Sequence, residues 1–149
     1  MKERLIISGI WLTAFILSLL IVESYVHTKS SEGLQILFPE DRLATMKPLM
    51  SIFGVYLGAI LTFWFTKPFN PSASDTAEKV RFWLATLCTL VFVMVLLYFV
   101  AYTHLFGPGD VTVVENIITG TKVAALMSFI VAPINLYYFG MKYTGSSGQ

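Results

Sequence analysis

Apolar residues gather into four long runs separated by polar stretches. The runs extend from about Leu5 to Val26, Leu49 to Phe65, Phe82 to Tyr102 and Val123 to Met141. A helix needs about 20 mostly apolar residues to cross ~30 Å of hydrocarbon, and inside lipid it satisfies its own backbone N–H and C=O groups. None of the runs alternates apolar and polar residues as a transmembrane β-strand would. The pattern therefore predicts an all-α integral membrane protein whose four transmembrane helices form a compact bundle over residues 1–143, followed by a flexible polar tail, 144–149. The first run follows Lys2 and Arg4, as the apolar part of a signal peptide would. From Leu5 to Val22 it is too long for one, and Val22, Glu23 and Ser24 make a poor cleavage site, so it reads as a retained span.

The connections carry their own signals. Tyr25 to Pro48 is long for a helical hairpin and is expected to hold structure. Pro39, Glu40 and Asp41 suit the first turn of a helix, because proline's φ fits there and acids favour the positive end of the dipole. This predicts a short interfacial helix before the second span, with a kink or break at Pro48. Leu34, Ile36, Leu37 and Phe38 are apolar enough to lie in the interface or against the helices. The connector from Lys67 to Lys79 is rich in turn residues, and Asp75 with Glu78 has the spacing of a capping box. After the break at Gly107-Pro108-Gly109, Asp110 can cap the next segment of chain. Residues 111–121 fit either an outward extension of the fourth helix or a separate interfacial piece.

Composition strengthens the membrane reading. Of 149 residues, 56% are apolar and 13% charged, about half the charge that a soluble domain carries. With a formal charge of +1 and one cysteine, the chain lacks the basic face of a nucleic-acid binder and the thiols of a disulfide framework. Charge placement also predicts orientation. Lys2, Arg4, Lys67, Lys79, Arg81 and Lys142 fall on one side of the spans, and Lys29, Arg42, Lys47 and Lys122 on the other. The six-to-four bias places both termini in the cytoplasm, across a cytoplasmic (inner) membrane.

Small residues at four-residue spacing form the clearest motif. Gly54 and Gly58 make a GxxxG pair continued by Thr62 and Thr66, and Gly120, Ala124, Ser128 and Ala132 make a second stripe. Lipid supplies no hydrophobic drive between helices, so close backbone approach through small side chains carries much of their association. Both stripes are expected to be helix contacts, either within one chain or between chains. Two are more than one small bundle needs, which points to a homo-oligomer.

Polar residues at membrane depth are costly and often functional. Asn135 follows Pro133, which frees the carbonyl of Phe129. The pair reads either as a pore or gate element, or as a structural kink with an interhelical hydrogen bond. Glu23, His27, His104 and Glu115 fall on the outer side and form a candidate polar rim, which reads either as a metal or pH-sensing site or as ordinary interfacial residues. Ser18, Thr13, Thr86 and Thr89 can bond their own helix backbones. Trp11, Trp64, Trp83 and most tyrosines read as an aromatic belt at the span ends.

No nucleophile elbow, metalloprotease helix, phosphate-binding loop or paired membrane carboxylate is present, so no cofactor, metal or enzymatic activity is expected. The leading expectation is a non-enzymatic polytopic membrane protein that oligomerises and senses, couples or scaffolds through a cytoplasmic or membrane protein partner. The alternative is an oligomeric ion channel or pore-forming effector lined by Ser18, Thr62, Thr66, Ser128 and Asn135. A small transporter ranks third and a membrane enzyme last.

Overall fold

All four apolar runs are helical in the computed structural model, which describes residues 2–29, 33, 35–66, 76–107 and 112–140. The helices are α1 (Lys2–His27), α2 (Arg42–Thr66), α3 (Thr76–Phe106) and α4 (Val113–Gly140), each long and apolar enough to cross a membrane. At 1.5 Å per residue, the 31 residues of α3 reach about 46 Å, well beyond a hydrocarbon core of ~30 Å. Among the described residues, extended pairing is confined to one antiparallel bridge between Lys29 and Gln35.

Local chemistry sets the helix ends. α2 starts after a turn at Pro39–Asp41, and the carbonyl of Asp41 accepts both the backbone N–H (2.9 Å) and the hydroxyl (2.8 Å) of Thr45. Arg42 to Lys47 are thus the first turns of α2 itself, and the helix continues through Pro48. The expected short interfacial helix before the second span is therefore not distinguished from α2, and the helix does not break at Pro48. Pro48 lacks an N–H and so leaves one carbonyl unpaired, which the helix tolerates. α3 ends in a left-handed Gly107 (φ 81°), whose N–H bonds the carbonyl of Thr103 at 3.0 Å. α4 begins ten residues before the apolar run, so 113–121 extend the fourth helix. Thr112 and Glu115 form its capping box: the Thr112 N–H donates to the Glu115 carboxylate (3.1 Å), and the Glu115 N–H donates to the Thr112 hydroxyl (3.3 Å). Asp110, Asp75, Leu34, most of the 67–79 connector and the 144–149 tail lie outside the described residues.

Four principal contacts close the bundle: α1 with α2, α1 with α3, α2 with α4 and α3 with α4. Arg4 near the start of α1 lies over the ring of Phe63, near the end of α2, and close to Tyr138 at the end of α4. The helices therefore alternate in direction, and the consecutive α2 and α3 sit on a diagonal. Trp11 lies at the centre, fully buried rather than in a belt. It stacks on Tyr56 (4.0 Å, 12°) and meets Phe53 and Phe92. Leu37 tucks the loop before α2 into this core, while Phe38 is exposed. The outer surface is itself apolar, with Phe129 80% exposed and Met94 and Leu126 each 69%. A surface of that kind is stable against hydrocarbon and would be a liability in water.

Candidate functional site

The rim residues come from three helix ends and divide into separate arrangements. At the end of α1, Glu23 pairs with Arg42 at the start of α2 (2.7 Å), and His27 lies 3.7 Å away on its other oxygen. This ties α1 to α2 where the chain turns back. On the neighbouring side, His104 near the end of α3 stacks on Tyr25 (4.2 Å, 14°), and its Nε2 meets Ser24 Oγ at 2.6 Å. Ser24 donates its one hydrogen to the Ile21 carbonyl (2.6 Å), so it accepts from His104 Nε2–H. The Tyr25 hydroxyl donates to the Val100 carbonyl (2.9 Å) and accepts the His104 N–H (3.2 Å), inserting itself into the last turn of α3. Glu115 is spent on the α4 capping box. Among the described residues, no three His, Cys, Asp or Glu side chains converge as metal ligands.

Deeper in the bundle, polar side chains meet across helices. Asn135 is 4% exposed; its Oδ1 accepts from the Thr89 hydroxyl of α3 (3.1 Å), and its Nδ2 donates to the Val131 carbonyl one turn back (3.1 Å). Both ends of the amide are thus used inside the protomer, whereas neighbouring Pro133 is exposed. Tyr56 of α2 donates to Ser128 of α4 (2.9 Å), which in turn donates to the Ala124 carbonyl (2.9 Å). Trp64 Nε1 donates to Ser8 (3.1 Å), joining α2 to α1. Ser18, fully buried, bonds the Ala14 carbonyl of its own helix (2.8 Å). Among the described residues, the buried polar atoms Trp11 Nε1 and Thr86 Oγ1 have no partner.

The two small-residue stripes behave differently. On α4, Gly120 and Ala124 are buried, and Ser128 and Ala132 are partly so. A β-carbon at Gly120 would overlap the Phe99 side chain, so this stripe is where α3 approaches α4 closely. On α2, Gly54, Gly58 and Thr62 are exposed, and a β-carbon at either glycine would meet nothing within 4 Å. Among the described residues, the GxxxG pair therefore makes no helix contact within the protomer. Phe53, Tyr56 and Ile60 occupy the inward side of α2 and turn the glycines outward. The Thr66 side chain lies outside the described residues.

Depth alone groups Glu23, His27, His104 and Glu115; it does not reveal Arg42, which pairs with Glu23, or Ser24 and Tyr25, which hold His104. The Thr112-x-x-Glu115 spacing was a readable signal for the cap. The partner of Asn135 was not, since any hydroxyl of a facing helix at that depth would serve. No family model, curated protein or solved structure matches the chain.

Proposed function

We propose that this chain is a non-enzymatic polytopic membrane protein that self-associates and works as a sensing, coupling or scaffolding component with partner proteins. In this reading both termini lie in the cytoplasm, and the connector around Lys67–Arg81 and the C-terminal tail are the handles that partners engage. The observation that carries it is how Asn135 is spent. An unpaired amide in hydrocarbon costs several kcal/mol, on the order of what a lumen water would recover. Here Thr89 and Val131 already satisfy it. The aromatic packing around Trp11 fills the bundle centre where a conducting path would run. The outward Gly54/Gly58 face supports self-association, because a flat row of small residues lets a second helix approach closely.

The channel reading needs a path between copies rather than through one, since Ser18, Ser128 and Asn135 are bonded inside the protomer. Reconstitution of the purified chain into liposomes separates the two. The expected result is a discrete oligomer by native mass spectrometry with no ion flux above that of empty vesicles. Sustained flux from the intact oligomer would overturn the scaffold reading, and a monomer at all protein-to-lipid ratios would overturn self-association.

A further inference from the structure

An apolar groove of about 430 Å³ runs along the outside of the bundle between α1 and α3. Ile6, Gly9, Thr13 and Leu17 line it from α1, and Val93 and Leu97 from α3. Gly9 opens it, since a β-carbon there would meet nothing within 4 Å. We propose that this groove holds one acyl chain of an anionic phospholipid, with the headgroup at the Lys79 end of α3. The proposal rests on the membrane-spanning reading above.

Dimensions select the occupant. Ile6 to Leu17 rises about 16 Å, roughly half of a ~30 Å hydrocarbon core. The groove opens one turn inside the charged start of α1 and stops near mid-span, which is the depth that the chains of a single leaflet occupy. A groove of about 430 Å³ drawn out along that length is narrow and apolar, a shape that suits one alkyl chain. The α2 glycine face proposed for self-association lies on a different helix.

Charge selects the headgroup. Lys79 precedes Val93 by 14 residues, close to four helical turns, so it stands on the same face of α3 as the groove wall, and it is exposed. At this end of the bundle the sequence places Lys2, Arg4, Lys79 and Arg81 against Glu3 and Glu78, a net positive balance. Arg4 lies over the Phe63 ring, and Lys79 is the exposed cation on the groove face of α3. Basic residues at a membrane surface each strengthen the attraction to anionic lipid.

The test uses the full-length chain in nanodiscs of phosphatidylglycerol or phosphatidylcholine, with retained lipid counted by native mass spectrometry after gentle release. The wild type should keep one phosphatidylglycerol per protomer. Gly9→Leu, which fills the groove, should reduce retention about tenfold. Thr13→Phe, at an exposed position, fills it from another point of the same wall and should do the same if the glycine variant fails to fold. Lys79→Gln should leave the chain site intact but reduce the preference for phosphatidylglycerol over phosphatidylcholine about fivefold. Equal retention by wild type and both groove variants overturns the proposal. So does a groove variant that dissociates the oligomer while keeping its lipid, which would make the groove a contact between copies. Recovery of the wild type in the soluble fraction after membranes are washed with alkaline carbonate would instead remove the membrane reading itself and the lipid site with it.

Discussion

Asn135 and Tyr25 show how single polar side chains are accommodated in an apolar bundle. Each meets another helix through a hydrogen bond, Tyr25 to the Val100 carbonyl and Asn135 from the Thr89 hydroxyl. Interhelical bonds of this kind in membrane proteins contribute about 0.6 kcal/mol on average, with the best near 1.7. Asn135→Leu removes the amide and with it the interhelical bond from the Thr89 hydroxyl, which can then turn back only to its own helix. Its expected effect is a loss of about 1 kcal/mol of stability, read as a lowered Tm in detergent, with the ion permeability of proteoliposomes unchanged. A permeability change with the oligomer intact would move Asn135 from a structural to a lumen role. Spacing alone placed Asn135 in the fourth span and Pro133 beside it. That the amide turns inward to α3 while the proline faces out depends on the rotation of α4, which the pattern of a helix apolar on all sides does not encode.

Among the elements, α2 and α4 carry similar small-residue stripes with opposite consequences. Gly58→Leu adds a side chain where nothing lies within 4 Å, so fold stability should stay within about 0.5 kcal/mol of wild type while the oligomer distribution shifts. Gly120→Ala drives a methyl group into Phe99 and should cost about 1–3 kcal/mol with little effect on oligomer state. Thermal unfolding and native mass spectrometry on the same two samples give both readings, and a Gly58→Leu protein unchanged in each would assign that face to lipid. The four helices were legible in the sequence because hydrocarbon thickness demands long apolar runs. Their ends were less so. α4 extends outward under a Thr112–Glu115 cap embedded in β-branched residues, and α2 starts before Pro48 because a missing N–H frees one carbonyl without stopping the helix. The direction of the GxxxG face was illegible for a related reason: spacing says which residues share a face, and the large Phe53, Tyr56 and Ile60 decide which face is inward.

For the molecule as a whole, the first question is orientation. With an even number of spans and the basic residues weighted to one side, reporter fusions after Lys142 and within Lys67–Arg81 should both report cytoplasm. A signal from the opposite compartment at either site would invert the bundle and place the Glu23, His27 and His104 end inside. The order of helices around the bundle carries a different implication. α1 with α2 and α3 with α4 form two antiparallel hairpins lying side by side. The seam between them is closed by Trp11 against Phe92, Tyr25 on Val100, Tyr56 on Ser128 and Phe63 against Phe139. Every one of these contacts joins the first half of the chain to the second, and none depends on both halves belonging to the same polypeptide. Two copies that exchanged their C-terminal hairpins through the connector between α2 and α3 would keep the whole seam.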